Sequence, residues 1–283
     1  MKRAVVYILL IMLLTSCVKE ADWSISENDS VYIVVDGIIT NEYRVQYIYL
    51  NYNKTGLNDQ PIPLSGADVI ISNEDETYQL KEDPEEAGRY ITDTIMVAKF
   101  NKNYSLLIFY QDRFYSAQAN MVPGKTFAEL RYKKNDNDDL YFIDYVASAF
   151  DADDPAMWEI DIDWSMVPGY DFQDPKSCRR KLIFYTLSTL DVSQVFAPIV
   201  EQVYFPAGTN ITQRRYSLTS EHIDFLRSLL LETSWQGGVF PSDPANVITN
   251  LSDGAIGFFG ICAVNSISLT VTEQKNINLN KGK

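Results

Sequence analysis

The chain has 283 residues, a formal charge of −14, and 46% hydrophobic and 13% aromatic residues, with 18 tyrosines among the aromatics. Such an acid excess excludes nucleic acid and anionic headgroups as partners, since a phosphate binder needs a basic surface. Abundant Tyr, Val, Ile and Thr favour sheet over helix, so the chain reads as mostly β.

The first element is a leader. Lys2-Arg3 precedes an apolar run from Ala4 to Leu14, closed by Leu14-Thr15-Ser16-Cys17. At ~1.5 Å rise per residue this run is too short to cross a ~30 Å hydrocarbon core, so residues 1–16 read as a secretory signal that is removed. The cysteine directly after the small residues resembles the lipobox of bacterial lipoproteins, which implies acylation of Cys17 and anchoring in a bilayer. Two or three acyl chains, at ~0.8 kcal/mol per buried methylene, suffice for a stable hold. About 267 residues then remain, with a charge near −16 once Lys2 and Arg3 are gone, enough for two domains. Val18-Lys19-Glu20-Ala21-Asp22 resembles the charged export signal that sends lipoproteins of Bacteroidota to the outer face of the outer membrane. Residues 17–30 are expected to form a lipidated, flexible tether.

Strands follow. Residues 31–40 form a continuous apolar run interrupted at Asp36-Gly37, which predicts a strand buried on both faces with a bend or bulge at Gly37. A second strand over 47–52 leads into a loop from Asn53 to Pro63 long enough to carry a contact surface. Segments 66–72, 77–80 and 88–91 read as further strands, and 104–109 with 113–117 as a hairpin around Gln111-Asp112. Seven short strands with regular turn signals predict an antiparallel sandwich of immunoglobulin or prealbumin type over 31–121.

Val122-Pro123-Gly124-Lys125 marks a junction. A second antiparallel β-sandwich domain of the same type, 125–271, is expected to contain strands at 140–150, 158–164, 181–187 and 194–205. Strict alternation in Trp158-Glu159-Ile160-Asp161-Ile162-Asp163-Trp164 sets the apolar residues on one face and the carboxylates on the other. One helix is predicted over 220–233, capped by Thr219 or Ser220, with Ile223, Leu226, Leu229 and Leu230 on one stripe, ending before Gly237-Gly238. An irregular loop spans 241–250. Strands at 255–263 and 266–271 complete the domain, and 272–283 is a loose tail.

Four segments carry a family resemblance: Val34-Val35-Asp36-Gly37-Ile38-Ile39-Thr40, Gly66-Ala67-Asp68-Val69-Ile70-Ile71, Gly88-Arg89-Tyr90, and Asn250-Leu251-Ser252-Asp253-Gly254-Ala255-Ile256-Gly257-Phe258-Phe259 after the helix. Together they resemble the Bacteroidota outer-membrane lipoprotein family catalogued as domain of unknown function 4249. Its members are typically encoded beside TonB-dependent receptors, which implies a surface companion of a transporter. The motifs are structural glycines and strand patterns, and the resemblance supplies no catalytic residues.

The residues offer little chemistry of their own. His222 is the sole histidine, read as a surface residue in the first turn of the helix, so a serine triad or a histidine metal cage built on it is disfavoured. Asp136, Asp138 and Asp139 in one loop, and Asp151, Asp153 and Asp154 in another, present oxygens at alternate positions that suit Ca²⁺. Neither loop has an EF-hand's glycine or distal glutamate, so solvated turns are favoured. Asp161 and Asp163 have the spacing of a glycosidase pair, a spacing that any exposed strand face also gives. Cys178 and Cys262 could bridge in an oxidising compartment, and Cys262 could equally be buried. Tyr43, Tyr47, Tyr49 and Tyr52 around the first hairpin, with Trp235, are candidate binding aromatics for an oligosaccharide or peptide. The expectation is an all-β, non-enzymatic surface lipoprotein without cofactor, partnered with the bilayer through Cys17 and with a TonB-dependent receptor. The alternatives are an adhesive or structural surface lipoprotein and, behind it, a carboxylate-based hydrolase.

Overall fold

The computed structural model describes residues 32–53, 60–170, 174–189, 201–234 and 247–273, with side chains of 233 and 234 left aside. The leader, Cys17, the tether, most of the loop after Asn53, most of the expected 194–205 strand, Trp235, Gly237-Gly238 and the last ten residues lie outside the described residues.

Strands β1 (Ile33–Thr40), β2 (Tyr47–Tyr52), β3 (Ile62–Pro63), β4 (Asp68–Ser72), β5 (Thr77–Asp83), β6 (Glu86–Thr92), β7 (Asn103–Tyr110) and β8 (Arg113–Asn120) form one sheet with β14 (Ala255–Cys262). Its order is β14-β1-β2-β6-β5-β4-β7-β8, with β3 added beside β2. Alternate residues point inward, as β7 shows with Tyr104, Leu106 and Ile108 buried between more exposed neighbours. Val35, Ile48, Leu50, Val69, Ile71, Leu106, Ile108 and Phe259 fill the interior, each essentially without solvent contact.

This sheet rolls up until its two edges meet. Between β8 and β14 runs the segment Thr249–Ser252, whose side chains stand in for missing strand partners. The Asn250 carboxamide accepts from Phe259 N at 3.1 Å and donates to Phe259 O at 2.7 Å and to Gln118 O at 3.2 Å. Ser252 takes the other edge: its Oγ accepts from Ser116 N at 3.0 Å, and its N donates to Ser116 O at 2.8 Å. The result is a nearly closed, barrel-like sheet, where the sequence predicts an open sandwich of residues 31–121. The difference has one cause: β14, from the far end of the chain, pairs parallel to β1 from Ile33↔Ala255 to Thr40↔Cys262. Purely local patterning cannot show such a partner.

Two glycines permit the close strand approach. A Cβ at Gly37 would stand 2.5 Å from Ile48 Cγ2. At Gly257, φ is +100° and a Cβ would lie 2.1 Å from Val35 O. Gly37 therefore marks a tight crossing, and the bulge expected there is absent because the β1–β14 register runs unbroken through it.

The second sheet has order β12-β11-β13-β15, from β11 (Ala156–Asp163), β12 (Arg179–Thr186), β13 (Asn210–Ser217) and β15 (Val264–Thr270), beside a ribbon of β9 (Arg131–Lys134) and β10 (Tyr141–Tyr145). In β11 the predicted alternation holds: Trp158, Ile160 and Ile162 are buried and the acids between them are not. All described residues belong to one compact unit. Val264 N donates to Asn41 Oδ1 at 2.7 Å, so the second sheet abuts the barrel end where β1 finishes.

Registers define the barrel's two ends. Ile33, Tyr52, Ile62, the 83–86 turn, Asp68 and the turn between Tyr110 and Arg113 share the end where β1 starts. Thr40, Tyr47, the Ser72–Thr77 turn and Asn120 share the other. The helix α1 (Ser220–Ser234) lies on β14, and Thr219 caps it by accepting from His222 N at 3.3 Å.

Asn250→Ala removes three hydrogen bonds from the seam and should cost about 1–3 kcal/mol. Asn250→Asp should cost more at pH 7, because a carboxylate would face the Phe259 and Gln118 carbonyls, which raise it above the ordinary carboxylate range, and it should regain stability as pH falls through that raised value toward about 4. Urea unfolding of both variants at pH 7 and pH 4 checks this order.

Candidate functional site

A cavity of about 270 Å³ opens beside the second sheet, walled by Phe127, Tyr145, Ser148, Asp154, Trp158 and Arg215. Strand β11 supplies Trp158 and β13 supplies Arg215, opposite each other in the ladder. Their inward orientation follows from period two, so a charged guanidinium sits where a core residue would be expected. Arg215 is only 2% exposed. Its charge is met by an ion pair with Asp154 and by the Trp158 ring, 5.6 Å from its guanidinium carbon. Phe127 meets Trp158 edge-on at 5.1 Å. The indole N–H donates to Thr186 Oγ1 at 2.9 Å, and that hydroxyl donates to Ser148 O at 2.6 Å. The ring is thus fixed before any ligand arrives. Aromatic walls beside a guanidinium and a carboxylate suit a small polar ligand with an apolar face.

Sequence reading misses this site because β13 reads poorly: Ile211, Gln213, Arg215 and Ser217 are its inward residues, and only the first is apolar. Alternation of buried against exposed positions was the usable signal, hidden by the polar identity of the buried set.

Among the predicted aromatics, Tyr47 and Tyr49 come together edge-on at 5.6 Å, with Arg89 over Tyr47 at 5.3 Å and Arg44 at 5.8 Å. Tyr43 is 81% exposed in the β1–β2 connection. Tyr52 points elsewhere: its hydroxyl lies 2.6 Å from that of Tyr110, and that hydrogen bond, ahead of burial, holds its phenol up at about 12.

Asp138, Asp139, Asp151 and Asp154 among the acidic candidates have local partners. Asp138 Oδ1 accepts from Leu140 N and Asp139 pairs with Lys134 at 2.6 Å. Asp151 Oδ1 accepts from the backbone N of Asp153 and Asp154, closing a turn. Among the described residues no three His, Cys, Asp or Glu side chains gather as a metal cage. Asp161 and Glu159 face Arg214, which also reaches Glu42 at 3.4 Å, while Lys181 lies 3.0 Å from Glu159. Burial raises the Asp163 carboxyl, but hydrogen bonds from Ser165 and the Arg179 guanidinium outweigh it and hold the group below the usual range. A glycosidase acid needs the opposite shift.

Cys178 and Cys262 lie in separate apolar clusters with no disulfide between them. His222 is not a surface residue. It is 3% exposed, stacked on Phe258 at 4.5 Å, with Nδ1 3.7 Å from Cys262 Sγ. Burial pushes its imidazole down to about 4 and the Cys262 thiol up to about 12, so both stay neutral.

The sequence profile of a domain of unknown function, DUF4249, matches residues 18–268. The chain belongs to the DUF4249 family. No curated protein matches it. The DUF4249 match takes in both sheets up to Ser268 of β15, α1 and the 249–252 seam, so the cavity and the tyrosine hairpin both lie inside the family domain.

His222 yields a pH prediction. Unfolded chains bind its proton below about pH 6.5 and the folded chain only below about 4, so stability should fall as pH drops through that window, by about 3 kcal/mol. Comparing urea midpoints of the wild type and His222→Phe at pH 7 and pH 4.5 should show a smaller acid loss in the variant.

Proposed function

We propose that this DUF4249 protein is a lipoprotein of the Bacteroidota outer membrane, acylated at Cys17 and facing the cell exterior. It serves there as a non-enzymatic accessory or ligand-binding partner of a TonB-dependent transporter. The observation that carries the reading is Leu14-Thr15-Ser16-Cys17 behind a basic, apolar leader. The binding role is supported by the exposed Tyr43 and Tyr47 beside Arg44 and Arg89, and by the cavity at Trp158 and Arg215. Rings with a polar handle next to guanidinium groups suit an oligosaccharide or peptide and equally the rim of a protein partner.

Two measurements test this. Cys17→Ser should abolish incorporation of labelled palmitate and move the protein from the membrane pellet to the soluble fraction. A C-terminal tag used in mild detergent should recover a large β-barrel partner, and a Tyr43→Ser/Tyr47→Ser variant should recover about tenfold less, the loss of ~1.4 kcal/mol. Capture of a surface component without a barrel would favour an adhesive role, and turnover lost in Asp161→Asn would favour a hydrolase.

A further inference from the structure

The barrel end where β1 starts carries exposed apolar side chains that its fold does not use. Phe109 and Phe114 are paired across the β7–β8 hairpin with ring centroids 5.0 Å apart, 45% and 51% exposed. Ile62, 54% exposed, is paired with Tyr52 on the same end, and Ile256, 37% exposed, sits beside Val34. Phe109, Phe114 and Ile256 lie on the outward faces of their strands, where a polar residue would cost nothing in packing, and Ile62 projects at the open rim beside Tyr52.

The chain itself says what lies near that end. β1 begins there, so the described chain, which starts at Tyr32, enters the barrel at this end, sixteen residues after Ser16. The second sheet occupies the opposite end, through Asn41 and Glu42. The end at which the described chain begins therefore has phenylalanines at its hairpin tip, and the far end holds the exposed tyrosines.

We infer that the β7–β8 hairpin tip, through Phe109 and Phe114 with Ile62 and Ile256 at its flanks, rests in the headgroup region of the bilayer that holds Cys17. Aromatic rings are favoured at that depth, between water and acyl chains. The exposed carboxylates Asp68, Asp112 and Asp253 on the same rim, against the lone cation Arg113 of the tip, select a zwitterionic surface over an anionic one. The contact orients the molecule: the second sheet and Tyr43 point away from the membrane. This inference rests on the acylation proposed above.

The test uses the acylated full chain reconstituted in phosphatidylcholine and phosphatidylethanolamine vesicles containing a doxyl-labelled quencher lipid. Cys17 is blocked by lipid, and Cys178 and Cys262 are buried, so Arg113→Cys or Glu74→Cys places a polarity-sensitive dye at one end of the barrel or the other. Flotation with the vesicles reports the anchor separately, and failure to float would overturn the acylation reading itself. In floating protein the dye at position 113 should be blue-shifted and quenched, and the dye at 74 should be neither. Adding Phe109→Ser and Phe114→Ser should leave flotation intact and abolish quenching at 113. Absence of quenching at 113 in the parent, equal quenching at both positions, or quenching that survives the double substitution would overturn the inference.

Discussion

One short segment, Thr249–Ser252, holds the barrel shut, and the Asn250 carboxamide is its centre. Asn250 presents a donor and an acceptor to Phe259 and a second donor to Gln118, so one side chain reproduces the pattern a strand would offer to both edges. Without the segment, β8 and β14 would be open edges of a long sheet, each with a row of unpaired backbone groups. Ser252 repeats the device one step along with Ser116. The interior can be packed with Ile, Leu and Val because closure leaves no edge through which water reaches it. The glycines at 37 and 257 serve the same end by letting β1 approach β2 and β14 closely.

The other half of the molecule solves a different problem. The second sheet presents one apolar face, built by Trp158, Ile160, Ile162 and Ile211, and one charged face where Glu159, Asp161 and Lys181 meet Arg214. Arg214 also reaches Glu42 of the β1–β2 connection, so the charged face is where the sheet touches the barrel. Exposed pairs of this kind contribute little stability one by one, and a network fixes register more than it adds energy.

Much of this was legible in the residues. Alternating Val, Ile and Tyr gave the barrel strands, Thr219 with the leucine stripe gave α1, and Trp158 to Asp163 gave β11 with its two faces. Three things were not. The parallel partner of β1 lies more than two hundred residues away, and no local period encodes it. Strand β13 was missed because its inward positions include Gln213 and Arg215, so hydrophobic periodicity fails in the sheet that carries the cavity. A polar side chain in the first turn of a helix reads as surface, whereas the His222 ring stacks on Phe258, which Phe225 also stacks on, and stays neutral. Buried polar side chains defeat pattern reading, and here they mark the cavity and the helix contact.

The parallel pairing of β1 with β14 also dictates when the molecule can become itself. Ile33 waits for Ala255, so the ends of the folded domain must meet before the interior is sealed, a contact of very high sequence separation and hence a slow, late event in folding. Until residue 262 is available β1 has no partner on its β14 side, so its edge groups there stay unpaired through most of the chain's synthesis.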